Sequence, residues 1–208
     1  MSIDVPDQPQ FGDPLPATPS PEVLAFFARR RSASALTLRA PGPAADEITT
    51  LLRLAARVPD HGKLAPWRFI VLEGAAKDAV AGRLQAIAAA RPDAAKAEAA
   101  LGKFKAPPVA VAVVSSPKPG EIPEWEQLMS AGAVCLTLLN TATAMGYGAN
   151  WITDWYAYDA EARAILGLAT EERVAGFILM GTAREPALER ERPQLAPLVT
   201  HWSPKGAA

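Results

Sequence analysis

The stretch Arg57-Val58-Pro59-Asp60-His61-Gly62-Lys63-Leu64-Ala65-Pro66-Trp67 decides how this chain reads. It closes an apolar-periodic helix and runs directly into the first clear strand. Two prolines and a glycine forbid helix within it, while Arg57, Asp60, His61 and Lys63 crowd ionisable groups into a few residues. Loops that carry this much chemistry between two rigid elements are where sites are built. The plainer reading is a helix C-terminus with basic residues complementing the dipole, followed by an ordinary loop. His61 is one of only two histidines, so its placement here matters.

Toward the N-terminus, Ile48, Leu51, Leu52, Ala55 and Ala56 follow helical spacing, and Pro59 stops that helix. The link Ala40-Pro41-Gly42-Pro43 separates it from a first helix opened by Ser20-Pro21-Glu22: an N-cap, a proline at N1 and an acid in the first turn. Val23, Leu24, Phe26 and Phe27 give the first helix an apolar face. It ends in Arg29-Arg30-Arg31-Ser32-Ala33-Ser34, which suits either a solvated helix end or a phosphate clamp of guanidinium forks and hydroxyls. Residues 1–19, punctuated by Pro6, Pro9, Pro14, Pro16 and Pro19, read as a disordered or draped arm.

Toward the C-terminus, Arg68 to Glu73 and Pro108 to Val114 are short apolar strands. Between them Ala75 to Lys103 reads as helix, broken near Arg91-Pro92-Asp93. A long helix from about Glu124 to Met145 follows. Leu128, Ala131, Cys135, Leu138, Ala142 and Met145 fall at three- and four-residue steps, and Leu136 and Leu139 widen the stripe. A helix apolar nearly all round is expected to be buried, in a core or a dimer interface. Glu126, Gln127, Ser130, Thr137, Asn140 and Thr141 interrupt it too often for a membrane span. Gly146 to Asn150 turns the chain into the short strand Trp151-Ile152-Thr153. A brief helix lies around Ala160 to Leu166, and Arg173 to Thr182 is the last strong strand. Pro197-Leu198-Val199-Thr200-His201-Trp202 suggests a docking tail.

Composition bounds the function. With 208 residues and half of them apolar, the chain makes one domain, expected over residues 20–202 with a flexible tail at 203–208. A net charge of -1 argues against nucleic-acid binding, which needs a basic surplus. The single cysteine, Cys135, can neither close an internal disulfide nor build a zinc site, and no secretory signal is visible; a cytoplasmic protein is expected.

Several stretches together resemble one family: Arg30-Arg31-Ser32 after the first helix, Arg57-Val58-Pro59-Asp60-His61, and Pro66-Trp67-Arg68-Phe69 opening a strand. Trp125-Glu126-Gln127 with Ser130-Ala131-Gly132 heads the long helix, Gly146-Tyr147-Gly148 precedes Trp151-Ile152-Thr153, and Gly176-Phe177 leads to Gly181-Thr182. In order and spacing they are similar to the FMN-dependent nitroreductases, in the compact NAD(P)H nitroreductase branch, from about Pro21 to Trp202. The resemblance implies an α+β fold, a central and mostly antiparallel sheet flanked by helices, stable as an intertwined homodimer with FMN sites at the interface. It implies that Arg30, Arg31 and Ser32 hold the FMN phosphate and ribityl chain, and that Arg57 and His61 reach the flavin from the partner subunit. Trp151, Ile152 and Thr153 would line the ring system, although the middle position is often basic in relatives. Thr141, Ala142, Thr143, Ala144, Met145 and Gly146 match the place of the nicotinamide nucleotide, and Gly181-Thr182 could approach the flavin by backbone.

The residue types agree with that chemistry. Reduced flavin carries negative charge, which cations and hydrogen-bond donors stabilise, and the cofactor itself does the redox work. The chain carries no plausible nucleophile triad or metal cluster. The implied activity is hydride transfer from NAD(P)H through FMN to a nitroaromatic, quinone or similar acceptor. The alternatives are a flavin-modifying or dehalogenating relative, and a flavin-binding module without turnover.

Overall fold

The structure, a computed structural model, describes residues 5–204. The first four residues of the expected arm and the last four of the expected tail lie outside them. The first helix, α1 (Pro21–Arg29), starts where its capping chemistry directs: Ser20 Oγ accepts from the Val23 N–H at 3.4 Å, and Pro21 sits where its missing donor costs nothing. A 3-10 turn at Ala35–Thr37 leads into β1 (Leu38–Arg39), a two-residue strand too short for periodicity to reveal. The next helix is α2 (Ala45–Ala55), whose first turn is closed by the Glu47 carboxylate accepting from the Ala44 N–H at 2.8 Å. Then come β2 (Trp67–Glu73), α3 (Gly74–Ala90), α4 (Ala94–Lys105) and β3 (Val109–Ser115). After them lie α5 (Glu124–Ala144), β4 (Gly148–Ile152), α6 (Trp155–Tyr158), α7 (Ala160–Ile165) and β5 (Arg173–Ala183).

The strands form one five-stranded sheet in the order β1-β5-β3-β2, with β4 sharing an edge of β5 with β1, and every pairing is antiparallel. β5 is therefore paired along both sides and packed on both faces, and it is the covering of both faces that makes its sequence apolar almost throughout. Side chains alternate across a strand, and the alternation sorts them into two cores. Val109, Val111, Val113, Ile178 and Met180 pack with α2 and α5 on one face. Ala110, Ala112, Phe177 and Leu179 pack with α3, α4, α6 and α7 on the other, around edge-on contacts of Phe104, Tyr156 and Phe177 at 5.3 to 5.6 Å between rings. The fold is thus the expected α+β sheet flanked by helices.

Two charged groups are satisfied inside this frame. Glu172 is buried and takes a two-pronged hydrogen bond from Arg68, Nε at 2.7 Å and Nη2 at 2.6 Å, which holds its carboxyl down at about 2. Lys77, also buried, donates to the Lys105 carbonyl at the end of α4 at 3.1 Å, and desolvation pushes its ammonium below the usual lysine range.

Helix α5 departs from the expectation of burial all round. It buries Gln127, Ser130, Ala131, Val134, Cys135, Leu138, Leu139 and Ala142 against the sheet and α2. Its other face leaves Met129 58 % and Leu136 45 % exposed, together with Leu128. One helix packed on one sheet can bury only the stripe that touches it, so the second apolar face of α5 stays open in the single chain. Among the described residues, no helix is long and apolar enough to cross a membrane.

α1 buries no residue, and its Val23, Leu24 and Phe27 are exposed. The described part of the N-terminal arm lies along the body: both Arg53 Nη atoms donate to the Pro6 carbonyl at 3.2 Å, and Lys63 Nζ stands 5.8 Å from the Phe11 ring. Beyond β5 the tail exposes Leu188, Leu195, Leu198, Val199 and Trp202.

Candidate active site at the sheet edge and the long helix

The loop after α2 is held open by its own polar groups. Gly62, Lys63 and Ala65 adopt left-handed φ of 67°, 58° and 44°, which costs a non-glycine residue energy and needs an external hold. The Asp60 carboxylate supplies one by accepting from the Ala65 N–H at 2.6 Å. Ser130 on α5 supplies another: its hydroxyl donates to the Pro59 carbonyl at 2.9 Å and accepts from the Trp67 indole N–H at 3.2 Å. The loop's two ends are thereby pinned to one turn of the long helix. His61 is presented from it, with Nδ1 2.5 Å from Glu126 Oε2, and both residues line a cavity of about 460 Å³ with Pro59, Asp60, Met129, Ser130 and Ala133. Arg57 is exposed.

The segment after α1 is tied to the sheet edge. The Ala33 N–H donates to the Ala149 carbonyl at 3.0 Å, and the Asn150 amide donates back to the Ala33 carbonyl. This places Arg31, Ser32, Ser34, Thr37 and Asn150 around a polar cavity of about 460 Å³, closed on its far side by residues 185–188 and Arg190. Arg30 Nη1 lies 3.4 Å from Ser32 Oγ. Arg31 is partly engaged by the tail, donating to the Leu188 carbonyl at 2.8 Å with Glu189 at 3.6 Å.

Alternation along β4 then divides its residues. Trp151 and Thr153 are exposed, whereas the Ile152 side chain packs into the core beneath α3, α4 and α6. Only the Ile152 backbone is free to face the edge. Trp151 lies over Gly176, where a Cβ would meet its Nε1 at 2.0 Å, so that glycine is what lets the indole lie flat on β5. The indole forms one wall of an almost wholly apolar trough of about 510 Å³ with Leu128, Met129, Gly132, Ala133, Leu136 and Ala175.

The trough and the His61 cavity adjoin, sharing Met129 and Ala133. The polar cavity meets the trough only through the successive residues Asn150 and Trp151, which alternation turns to opposite faces of β4. Thr141–Gly146 lines none of these three cavities, and its polar atoms serve the end of α5. Thr141 and Thr143 hydroxyls bond back to the Thr137 and Leu139 carbonyls. Gly146, at φ 86°, ends the helix with its N–H on Thr143 and the Tyr147 N–H on Ala142, the paired bonds of a Schellman stop. Gly181 and Thr182 join β5 to the link after β1, the Thr182 hydroxyl donating to the Pro41 carbonyl at 2.8 Å.

A profile described as the nitroreductase family matches residues 27–182, three quarters of the chain, and leaves out the arm, most of α1 and the tail. The chain belongs to the nitroreductase family. YdjA of Escherichia coli K12, whose name as an NAD(P)H nitroreductase is provisional, is 30 % identical over 184 residues, covering 87 % of this chain and 100 % of YdjA. Among solved structures, a nitroreductase-like family protein from Bacillus cereus superposes with a TM-score of 0.78 at 17 % identity, covering 91 % of this chain and 100 % of that one. A Bacteroides fragilis nitroreductase with bound FMN superposes at 0.67 with 23 % identity, covering 88 % and 100 %. These likenesses agree with the sheet and helix layers described above.

Four functional candidates in this nitroreductase-family chain escape a reading by residue type. Glu126 belongs to the Trp125-Glu126-Gln127 motif, yet nothing in the sequence says that it meets a histidine 65 residues earlier. Asn150 reads as a turn residue and proves to floor the polar cavity. Gly132 and Ala133 read as helix interior, and their smallness is what hollows the trough.

Proposed function

We propose that this nitroreductase-family chain is an FMN-dependent oxidoreductase, working as a homodimer, that passes hydride from NAD(P)H to a nitroaromatic, quinone or similar acceptor. The observation that carries the reading is a polar cavity and an apolar trough built on successive residues of one edge strand, Asn150 and Trp151 of β4. A cofactor with an anionic phosphate, a polyhydroxy chain and a flat ring system needs that sequence of environments. Arg30, Arg31 and Ser32 suit the phosphate, Ser34, Thr37 and Asn150 the hydroxyl chain, and Trp151, the Ile152 backbone and Thr153 the ring edge. When bound, FMN supplies the two-electron chemistry, accepting and releasing hydride.

The chain's own groups then bind, orient and exclude water. Arg57 and His61 are assigned to the flavin of the neighbouring copy, where a cation and a hydrogen-bond donor would stabilise the charge of the reduced ring. The open apolar face of α5 and the exposed aromatic tail support a second copy as the cover, since an obligate interface is hydrophobic and large, on the order of 2,000 Å². The relatives' names, one citing NAD(P)H and one bound FMN, support both the reductant and the cofactor.

Purified protein should be yellow, release FMN on heating, and bleach when NAD(P)H is added without oxygen. A protein that takes up no FMN overturns the reading. One that binds FMN without bleaching is a binding module, and one that consumes its flavin belongs with the flavin-modifying relatives.

A further inference from the structure

A reduced organic acceptor must gain a proton as well as a hydride, and the assignment of the flavin leaves that proton without a source. The pair His61–Glu126 has the geometry of one. Glu126 Oε2 stands 2.5 Å from His61 Nδ1, which fixes Nδ1 as the hydrogen-bonded nitrogen and leaves Nε2 as the free one. The ring is about half exposed and lines the cavity that shares Met129 with the trough, so Nε2 is open to a small molecule and to water. Asp60, the other acid of that cavity, is spent on the Ala65 N–H, and Lys63 lies against Phe11. Glu126 is therefore the group that sets the imidazole. Ser130 holds the loop end at Pro59 to the same helix that carries Glu126, so the dyad is built into two pinned elements of one chain.

We propose that His61 is the catalytic proton donor to the acceptor bound at the neighbouring copy's flavin, and that Glu126 is the residue that positions it. The inference rests on the flavin-dependent reading above. With a quinone as acceptor, hydride from the reduced cofactor adds two electrons and one hydrogen nucleus. The resulting oxyanion takes the proton from Nε2 of the imidazolium, whose N–H electron pair stays on the ring. The product is the hydroquinone, and neutral His61 is reprotonated by solvent. Glu126 offsets the positive charge of the imidazolium throughout and transfers no proton of its own.

The test compares two oxidants on full-length, FMN-loaded protein reduced by NAD(P)H without oxygen. 1,4-Benzoquinone needs the proton, whereas ferricyanide takes electrons alone. Glu126→Leu and His61→Gln should slow reoxidation by benzoquinone by about 100-fold, within the usual range for a lost general acid, and change reoxidation by ferricyanide far less, by only the few-fold that a lost flavin contact brings. Glu126→Gln, which keeps the hydrogen bond and removes the charge, should fall between, and it serves if the leucine variant folds poorly. Nitrogen-15 NMR adds a reading independent of turnover: neutral His61 should carry its proton on Nδ1 in the wild-type protein and shift toward Nε2 in Glu126→Leu. Equal loss with both oxidants, no loss with either, or an unchanged tautomer overturns the proposal while leaving the flavin reading intact. Wild-type protein that takes no FMN, or that NAD(P)H does not bleach, overturns both, before any variant is made.

Discussion

The polar cavity beside Arg31 and the apolar trough beside Trp151 are both built on β4, at the successive residues Asn150 and Trp151, yet they are built in opposite ways. The cavity is made from loops, with Ser32, Ser34, Asn150 and tail residues tied by backbone hydrogen bonds, and its charges face water. The trough is made from a rigid helix and strand, and its shape comes from what is missing: Gly132 and Ala133 hollow one wall and Gly176 makes room for the indole in the other. Loop-built charge can grip a phosphate as it arrives. A flat ring needs a pre-formed surface, which only packed elements hold to within an ångström.

The contrast can be broken most severely at the trough. Introducing Met129→Glu and Leu136→Glu together should place two charges on the open face of α5, weaken the proposed dimer by at least about 100-fold in Kd and, with the shared site lost, strip the flavin. Sedimentation and the flavin absorption band would record both. Monomer and dimer already at the wild-type ratio after the change would remove α5 from the interface. Leu138, although it belongs to the same apolar sequence stripe, is fully buried in the chain's own core, so a charge there would unfold the protein rather than separate two copies.

A charge shielded from water should count for more than the charges of the cavity. Glu172→Gln leaves Arg68 without its carboxylate and should cost roughly 2–3 kcal/mol at pH 7, reduced from the full linkage value because Arg68 is partly exposed. The folded carboxyl is held at about 2 against an ordinary 4.5, so its stabilisation is complete above the unfolded value and fades as pH falls through that window. Melting temperatures of the two proteins should converge near pH 2, and a constant gap would show that packing, not charge, is lost.

The rim of the cavity, where Arg30 reaches Ser32, should discriminate by phosphate. Arg30→Ala should weaken FMN by about 1.5–3 kcal/mol and riboflavin hardly at all, because only FMN offers a charge-assisted partner. Titration of both flavins decides it, and equal losses would place the arginine elsewhere. Arg31 is a blunter choice, since the tail already holds it through Leu188 and Glu189.

The smallest effect belongs to the trough wall. Gly176→Ala sets a methyl where the Trp151 ring now lies and should cost about 1–2 kcal/mol of stability by overpacking. Trp151→Ala made beside it should recover most of that loss, and a sum of two independent penalties would contradict the contact.

Much of the fold was legible in the chain, because it rests on local signals. Ser20-Pro21 starts α1, the apolar runs at β2, β3 and β5 declare strands, of which β3 and β5 are buried, and Pro59 halts the helix before the His61 loop. The Arg30-Arg31-Ser32 cluster stands out as charge in a nearly neutral chain. What tertiary structure alone decided is non-local. β1 exists because β5 has an edge to offer, two residues long. Ile152 goes into the core while Trp151 goes to the trough because pairing with β5 fixes which way each side chain turns. Leu136 and Leu138 look alike in sequence and differ in fate because α5 meets the sheet along one stripe only. Glu126 meets His61 because Ser130 clamps the loop end at Pro59 to the helix, across a separation no periodicity encodes. Short-range chemistry is written residue by residue, whereas contacts between distant residues depend on how the whole chain closes.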